Sequence, residues 1–465
     1  MKIALIDPEG VQPGLNVGLA YLSAVLYHGG YEVKVIDLNN KRDHLLQRLN
    51  KIKRSDFIGF SIKSFTLHNA IKIASFIPKG KSTFITGGPH ITLDGLNFLR
   101  NNGAFDIGVI GEGEETIVEI VEERPLSTIK GIVYRDSSGI HVTPPREFVK
   151  DLDSLPFPNY DFFDSIDGRI ENYPLITSRG CPYPCAYCSV GKVGGKFWRA
   201  RSPKNVVEEL LYAKRKYKIS RFEILDDNFT LDMRRAKEIC QRLIDEKLKL
   251  KWSCPNGVRA DRLDDELLGL MKESGCESIS IGIETCIPEI FDKINKRETL
   301  EAIFDSIRLA KKNGLKVYGF FIIGLPGSTF SLDRKSLKYA EKLGLTGALW
   351  GLLVPYPGTS FWDLLIRDPD VKMLRPWYEG FHFGSKPYAI FETSNYTERE
   401  RLKMFYLANL RFENYYIFIS NKAPLYENII NLLRIIINND PYRALKHLLK
   451  LVLRLGVNFA KSHLP

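Results

Sequence analysis

The stretch Cys181-Pro-Tyr-Pro-Cys185-Ala-Tyr-Cys188 places three thiols at C-x3-C-x2-C spacing, directly after the turn Ser178-Arg179-Gly180. Thiolates suit zinc or iron–sulfur clusters, and a loop this short can aim all three sulfurs at one centre. Zinc would normally bring a second pair of Cys or His ligands, which this sequence lacks. Three ligands without a partner loop suggest a 4Fe–4S cluster with one iron open for substrate; a zinc knuckle is the alternative. The other cysteines each stand alone in a helix or strand pattern: Cys240, Cys254, Cys276 and Cys286.

The composition is that of an ordinary globular protein whose 465 residues allow two to four domains. Seven cysteines, three of them clustered, favour a reducing compartment, so we expect a cytoplasmic protein. Residues 1–7 are typical of a buried first strand rather than a signal peptide. No apolar run approaches the roughly 18 residues of a spanning helix. The net charge of +11 favours anionic partners, which include nucleic acid, phosphates and membrane surfaces.

Residues 1–120 alternate apolar runs with helical patterns, which is typical of a parallel sheet covered by helices. Ligands of such sheets bind beyond the carboxyl ends of the strands, where glycines let a bulky ligand approach the backbone. The predicted strands are residues 2–6, 32–37, 57–61, 82–86 and 107–110. The segments at their carboxyl ends include Asp7-Pro-Glu-Gly10, Ser61-Ile-Lys-Ser64, Gly87-Gly-Pro-His90 and Gly111-Glu-Gly-Glu-Glu-Thr116.

Residues 121–173 form a predicted connector that holds a β-hairpin over 131–143 and a proline-rich boundary over 151–159. Residues 174–380 again alternate strands and helices, and six β/α units predict a partial TIM-type barrel. The active site of such a barrel lies at the carboxyl ends of its strands. The predicted barrel strands are residues 174–178, 221–225, 250–254, 278–284, 316–323 and 348–354.

The cysteine motif resembles that of the radical S-adenosylmethionine (radical SAM) enzymes, in which the open iron holds the methionine end of SAM. Three N-terminal strings, at residues 13–22, 87–90 and 111–116, resemble those of the cobalamin-binding domain in one large subgroup of that family. The resemblance covers roughly residues 1–380. It implies an α/β protein with a flavodoxin-like (Rossmann-type) cobalamin-binding domain at 1–120 and a partial (β/α)6 radical SAM barrel at 174–380. The implied cofactors are a 4Fe–4S cluster, SAM and cobalamin.

The resemblance also implies which residues hold these cofactors. Cys181, Cys185 and Cys188 would bind the cluster, and Tyr187 would lie beside the adenine of SAM. Arg259 would meet the SAM carboxylate or the corrin amides. The other implied contacts to SAM are Asp226, Asp227, Asn228, Glu284, Gly324 and Pro355. The implied contacts to cobalamin are Ser61, Ser64, Gly87, Gly88, His90, Gly111, Glu112, Gly113, Glu114 and Thr116.

Some of these residues have a structural alternative. Other cobalamin folds of the family bind cobalt through an Asp-x-His-x-x-Gly loop, which is absent here, so the domain is alternatively a scaffold without a ligand. His90 is the histidine best placed to face the ligand; alternatively it holds backbone carbonyls in a turn. Capping of the next helix is the alternative for Asp227 and Asn228. For Cys286 we expect a buried inert thiol rather than a catalytic one.

Residues 381–465 are predicted to form a helical C-terminal region. In its last helix, over 441–460, apolar residues recur at helical spacing and basic residues populate much of the remaining surface. Such a helix can lie on an anionic membrane or meet a partner. The alternative, which we favour slightly, is that it packs on the barrel and exposes a solvated basic face.

The implied mechanism begins when an electron donor reduces the cluster and the cluster passes one electron to the SAM sulfonium. The 5′-deoxyadenosyl radical then removes hydrogen from an unreactive C–H bond. Methylcobalamin donates its methyl to the substrate radical, and a second SAM recharges the cobalt. We therefore predict methylation of an unactivated carbon in a small-molecule or lipid substrate.

The alternative within the family is a cyclase or rearrangement enzyme without net methylation. A methylthiotransferase is excluded, because its N-terminal domain would need three more cysteines and residues 1–180 contain none. A third hypothesis is a membrane- or nucleic-acid-binding protein with a structural cluster. No recognition motif supports specific binding of nucleic acid.

Overall fold

The computed structural model describes residues 1–10, 14–41, 44–380, 387–418, 425–444 and 446–447. Two compact units make up the chain. The first contains residues 1–281, 295–316 and 356–363, and the second contains the rest. Within the described ranges no helix combines the length and apolarity needed to cross a membrane. Most of the predicted basic helix over 441–460, namely residues 445 and 448–460, lies outside the described residues.

A seven-stranded sheet forms the N-terminal part of the first unit, in the order β2-β1-β3-β4-β5-β6-β7. Its first five strands are parallel and the last two are antiparallel. Strand β1 is buried at all positions after the first, as expected for a parallel sheet covered on both faces. The strands are β1 Lys2–Asp7, β2 Glu32–Asp37, β3 Phe57–Ser61, β4 Thr83–Gly87, β5 Ile107–Val109, β6 Ile132–Asp136 and β7 Gly139–Val142.

The α/β pattern predicted for this part of the chain is confirmed, and each predicted strand lies within one residue of an observed one. The hairpin predicted for the connector forms β6 and β7 and adds them to this sheet. The sheet therefore extends to Val142, beyond the domain boundary predicted at residue 120. The helices of this part are α1 Val17–His28, α2 Leu45–Asn50, α3 Leu67–Ser75, α4 Pro89–Asn101 and α5 Glu114–Val121.

The first unit also contains four parallel strands in the order β8-β11-β12-β13, and a short antiparallel ribbon, β9 with β10. Strand β13 starts in this unit and its last three residues belong to the second. The strands are β8 Asn172–Leu175, β9 Ser178–Arg179, β10 Arg199–Ala200, β11 Arg221–Ile224, β12 Lys251–Val258 and β13 Cys276–Glu284. The helices of this unit that follow are α6 Val190–Val193, α7 Pro203–Tyr217, α8 Met233–Asp245, α9 Asp265–Glu273 and α11 Leu300–Lys312, whereas α10 Pro288–Phe291 belongs to the second unit.

The second unit holds a parallel pair, β14 with β15, and a short antiparallel pair, β16 with β17. The side chain of Asn409 accepts a hydrogen bond from the backbone N–H of Trp350 and donates one to its carbonyl, which ties α14 to β15. The strands are β14 Lys316–Ile323, β15 Gly347–Leu352, β16 Lys372–Met373 and β17 Phe391–Glu392. The remaining helices are α12 Phe330–Ala340, α13 Ser360–Leu365, α14 Glu398–Arg411 and α15 Leu425–Asn439.

A buried polar cluster fixes the turn after β14. Asp333 accepts hydrogen bonds from the N–H of Gly324 at 3.0 Å and from the hydroxyl of Tyr396 at 2.9 Å. Arg401 donates to the carbonyl of Gly324 at 3.1 Å and stacks over Tyr396. Burial raises the pKa of Asp333 to about 6, although these hydrogen bonds oppose the shift. Gly324, expected from the resemblance to form part of the adenine wall, thus packs directly against protein side chains.

Replacing Gly324 with alanine should destabilise the second unit. Gly324 has a φ of +79°, and a Cβ there would lie 1.9 Å from Nη1 of Arg401. The backbone conformation alone costs a non-glycine residue about 1–3 kcal/mol, and the displaced guanidinium adds to this. We expect Gly324→Ala to lower the unfolding temperature clearly. Gly351→Ala is the control, because nothing lies within 4 Å of a Cβ at Gly351. An unchanged unfolding temperature for Gly324→Ala would contradict this packing.

Candidate cluster and cofactor site

Two carboxylates hold the entry to the cysteine loop, Cys181–Cys188. Asp226 follows β11 and is buried; it accepts hydrogen bonds from the N–H of Thr177 at 2.6 Å, the hydroxyl of Thr177 and the hydroxyl of Ser178. Asp227 accepts from the N–H of Gly180 at 3.0 Å. Burial raises the pKa of both aspartates, although the hydrogen bonds oppose it. The end of β11 therefore fixes residues 177–180, immediately before the first cysteine.

The resemblance assigns Asp226 and Asp227 to the amino group of SAM, and that assignment stays a prediction. In the structure both oxygens of Asp226 accept hydrogen bonds from protein groups, and one oxygen of Asp227 does so. The capping alternative for Asp227 and Asn228 is wrong. Helix α8 is capped by Asp232, which accepts hydrogen bonds from the N–H groups of Arg234 and Arg235.

The loop folds back over its own start. Gly180 has a φ of +82°, and a Cβ there would lie 2.4 Å from the carbonyl oxygen of Phe197. The N–H of Cys181 donates to the carbonyl of Gly195 at 3.2 Å. Only glycine fits this close backbone approach at position 180. The segment after the third cysteine therefore packs on the segment before the first.

Asn228 lies against the first thiol, with its Nδ2 3.9 Å from Sγ of Cys181. Its Oδ1 is buried and has no hydrogen-bond partner among the described residues. Burial raises the pKa of the Cys181 thiol, and that of Cys188 to about 12. A buried amide oxygen without a partner is costly, so Asn228 is well suited to a ligand that donates a hydrogen bond at the cluster.

The donor set fits an iron–sulfur cluster. None of the three cysteines of the loop is in a disulfide, and each is half-buried. In the part of the chain that the structure describes, no three Cys, His, Asp or Glu side chains are arranged around one metal ion. The thiolates of a 4Fe–4S cluster bind different iron atoms, so they do not need to converge on one ion as zinc ligands do.

Arg259 contacts the cysteine loop by stacking on Tyr183. Its guanidinium lies 3.4 Å from the ring centroid of Tyr183, which belongs to the cysteine loop. It also pairs with Asp261 at 2.9 Å and donates to the carbonyls of Lys296 and Arg297 at 2.8 Å each. Burial lowers the pKa of Arg259, but the bond with Asp261 and the nearby acids outweigh it and the pKa is raised. Four of its N–H groups donate to protein groups, and the contact to the SAM carboxylate or the corrin amides stays a prediction.

The remaining predicted contacts to SAM lie in different parts of the chain. Tyr187 is half-buried in the cysteine loop. Glu284 and Pro355 belong to the second unit, and both are buried. Glu284 is the last residue of β13, and Pro355 follows β15. Glu284 has a φ of +64°, which non-glycine residues adopt rarely.

A cavity of about 340 Å³ lies in the first unit, at the carboxyl ends of β3, β4 and β5. Seven of the ten residues predicted to contact cobalamin line it: Ser61, Gly87, Gly88, Gly111, Glu112, Gly113 and Glu114. The other three, Ser64, His90 and Thr116, do not.

The walls of this cavity are mostly glycine backbone and apolar side chains. Thr86 lines the cavity, and its buried hydroxyl has no hydrogen-bond partner among the described residues. At Gly111, where φ is +85°, nothing lies within 4 Å of a Cβ, so any side chain would fill the space. At Gly88 a Cβ would lie 2.9 Å from the carbonyl oxygen of Ile62. A corrin needs such close backbone walls and a few polar groups for its amides.

His90 does not face the cavity. Its Nδ1 lies 3.3 Å from the hydroxyl of Ser64, and its ring packs edge-on against Phe98. Burial lowers the pKa of His90 to about 4, so the ring is neutral at physiological pH. Among the described residues that line this cavity there is no histidine. Cobalamin in this cavity would have no histidine ligand from its walls.

Residues on both sides of the cysteine loop line the cavity, which sequence reasoning did not anticipate. Ile176 and Arg179, just before Cys181, line the cavity. Val193 and Gly194, just after Cys188, line it too. Only the fold brings these residues to the loop Gly111-Glu-Gly-Glu114, because they lie more than sixty positions away in the chain. A ligand in the cavity would therefore lie beside the cluster loop.

Comparison with known proteins agrees with this arrangement. The family model of the radical SAM superfamily matches residues 175–360, and that of the B12 binding domain matches residues 9–121. An uncharacterized methyltransferase of Pyrococcus horikoshii is 33% identical over 79% of this chain and 84% of its own. A cytidylyl-2-hydroxyethylphosphonate methyltransferase of Streptomyces wedmorensis is 27% identical over 78% and 80%. An anaerobic magnesium-protoporphyrin IX monomethyl ester cyclase of Rubrivivax gelatinosus is 26% identical over 78% and 70%.

Among solved structures, the radical SAM methyltransferase TsrM of Kitasatospora setae superposes with a TM-score of 0.70 at 19% identity. The match covers 81% of this chain and 79% of that one, and it confirms the predicted fold class. The chain belongs to the cobalamin-dependent radical SAM enzymes of the methyltransferase type, whose cofactors are a 4Fe–4S cluster, SAM and cobalamin.

Proposed function

We propose that this enzyme transfers a methyl group to an unactivated carbon of a small-molecule or lipid substrate, with an electron donor as partner. The observation that carries the proposal is that residues on both sides of the cysteine loop line the cavity. Arg179 and Gly194 flank the cluster cysteines and also line the cavity. A methyl carrier in that cavity would lie beside the place where a substrate radical forms, as direct transfer requires.

When bound, the cluster with SAM supplies a radical that removes hydrogen from the substrate, and cobalamin supplies the methyl group. The residues of the chain position these groups. Asp226 and Asp227 fix the entry to the cysteine loop, and Asn228 presents an amide to the first thiol. The cavity supplies mostly apolar and glycine walls, which exclude water from a reactive intermediate.

A cyclase or rearrangement reaction is the second candidate. It is supported by the similarity to an anaerobic magnesium-protoporphyrin IX monomethyl ester cyclase, which aligns over 78% of this chain. Both candidates use the same cofactors, so the two reactions differ in what becomes of the substrate radical. Methylation uses a second SAM, which becomes S-adenosylhomocysteine, whereas rearrangement needs none.

Product analysis separates the two reactions. The anaerobically reconstituted enzyme, with cobalamin, a strong reductant and a candidate substrate, should form 5′-deoxyadenosine and S-adenosylhomocysteine in comparable amounts, because each turnover uses two SAM. Liquid chromatography with mass detection measures both products. 5′-Deoxyadenosine alone would support rearrangement, and neither product, with every candidate substrate tried, would contradict both.

Thr86→Val should weaken cobalamin binding without harming the fold. If the unpartnered hydroxyl of Thr86 meets the corrin, its loss should lower affinity about three- to tenfold, the value of one hydrogen bond. The unfolding temperature of the ligand-free protein should stay the same or rise, because a buried unsatisfied hydroxyl is removed. Equilibrium dialysis with hydroxocobalamin measures the affinity.

Thr116→Val is the matched control. Thr116 is equally buried and its hydroxyl also has no partner among the described residues, but it does not line the cavity. Its affinity for hydroxocobalamin should equal that of the wild type. Equal losses in the two variants would show that the effect is not local to the cavity.

Asn228→Ala should make the cluster harder to reduce. The side-chain N–H that points at Cys181 Sγ stabilises the more negative, reduced cluster. Losing a hydrogen bond of about 0.5–1.5 kcal/mol corresponds to a shift of roughly 20–60 mV toward negative potential. A spectroscopically monitored redox titration measures the shift, with iron content unchanged. Asn97→Ala, at an exposed asparagine whose side chain donates to Asp94, should leave the potential unchanged. A potential that does not move in Asn228→Ala would contradict the contact.

A further inference from the structure

Three charged side chains line the cavity: Glu112, Glu114 and Arg179. They are paired with one another rather than left unpaired in the wall. Arg179 lies between two glutamates of the 111–116 segment, 3.0 Å from Glu112 and 2.7 Å from Glu114. Glu112 also accepts from Arg199 at 2.9 Å and from the N–H of Val149 at 2.8 Å. Both oxygens of Glu112 are therefore used by protein groups. We call Glu112, Glu114, Arg179 and Arg199 the acid–arginine bridge.

Glu112 neutralises the electrostatic repulsion between the two arginines of the bridge. Arg179 and Arg199 are directly opposite each other in the antiparallel ribbon of β9 and β10. Like charges at such positions repel. Glu112 places one oxygen on each guanidinium and so holds the ribbon closed. Burial opposes ionisation of Glu112, but the bond from Arg199 and the charges of both arginines keep its pKa below the ordinary value.

The acid–arginine bridge places four charges in a largely buried position, where their desolvation costs free energy. The four side chains are only 7–15% exposed. Replacing a buried ion pair with well-packed apolar residues is often neutral or stabilising, so stability alone is a poor explanation for four buried charges. Buried ionic groups are better attested as devices that fix register between two elements. The two elements here are the cavity loop and the ribbon that leads into the cluster loop.

Each end of the bridge reaches a functional element. Glu112 is flanked by Gly111 and Gly113, and all three line the cavity. Arg179 lies two residues before Cys181 and also lines the cavity. Arg199 donates to the carbonyl of Gly194 at 2.9 Å, in the segment that packs on the start of the cysteine loop. Direct contacts through Glu112 and the two arginines therefore connect the cavity wall to the residues on either side of the cysteine loop.

We propose that Glu112 is a positioning residue that couples occupancy of the cobalamin cavity to the geometry of the cluster loop, so that cobalamin raises the affinity for SAM. The cofactors are those of the family, and the coupling holds whether the enzyme methylates or rearranges its substrate. A ligand that fills the cavity restrains the 111–113 loop, and through Glu112 it restrains Arg179 and the strand before Cys181. By linkage, SAM then raises the affinity for cobalamin by the same factor.

The test is the dissociation constant of SAM with and without saturating hydroxocobalamin. Equilibrium dialysis is performed anaerobically on the reconstituted enzyme with an oxidised cluster, so that SAM is not cleaved. We expect cobalamin to tighten SAM binding at least about fivefold in the wild type, within the usual range of coupling between sites. In Glu112→Gln the factor should fall to within about twofold of unity, because the amide cannot neutralise both arginines. A purely structural role would weaken SAM binding equally with and without cobalamin.

Glu115→Gln is the matched control. The substitution is chemically the same and lies three positions along the chain. The Glu115 side chain, however, is 61% exposed and pairs with Arg146. It should keep the wild-type coupling factor. If Glu112→Gln does not fold, Arg199→Lys replaces it, because lysine keeps the charge but cannot bond Glu112 and Gly194 together. We expect Arg199→Lys to lower the coupling factor as well.

Two results would overturn the proposal. One is a wild-type enzyme in which cobalamin leaves the SAM dissociation constant unchanged. The other is full coupling in Glu112→Gln or, where that variant does not fold, in Arg199→Lys. Neither result bears on methyl transfer, which the product analysis tests separately. Conversely, a coupled enzyme that forms no S-adenosylhomocysteine would contradict methylation and leave the bridge intact.

Discussion

The site depends first on the buried carboxylate of Asp226. It accepts hydrogen bonds from one backbone N–H and two hydroxyls of residues 177 and 178. These bonds tie the end of β11 to the connection between β8 and β9. A buried carboxylate without such donors would be protonated or would disrupt the fold. Arg235 completes the arrangement by donating to the carbonyl of Thr177 at 2.7 Å. The cysteine loop therefore starts from a fixed point, and three thiols on a short loop can serve one cluster.

Features that depend on local spacing could be predicted from the sequence. The cysteines lie within eight residues, and the strands follow from apolar runs between glycine-rich turns. The strand ends then indicated where ligands would collect, because parallel strands end at one edge of a sheet. Seven of ten predicted cobalamin contacts do line the cavity for this reason. The hairpin was also predicted, but its membership of the first sheet depends on pairing between β5 and β6, which no local pattern encodes.

Features that depend on distant partners could not be predicted. Asp226, Arg259 and Glu112 each carry charge at a strand end or loop, so a ligand contact was the natural expectation. In the structure each is bonded to protein groups: Asp226 to residues 49 positions earlier, and Glu112 to an arginine 67 positions later. His90 is similar, since Ser64 and Phe98 enclose it. A sequence shows which side chains can bind a ligand, but not which of their bonds the fold has already used.

This distinction explains the chemical character of the site. The cavity wall is built mainly from glycine backbone and apolar side chains, whereas the charged residues near it are paired with each other. Cofactors that carry their own reactivity need an enclosing wall more than they need acids or bases from the protein. An unpaired carboxylate in such a wall would draw in water or shift its own pKa. Pairing Glu112 and Glu114 with Arg179 neutralises their charges at the cavity wall and fixes the position of the loop that carries them. The charged residues of this wall therefore act on the cofactors through geometry, because their carboxylates and guanidinium groups are already bonded to one another.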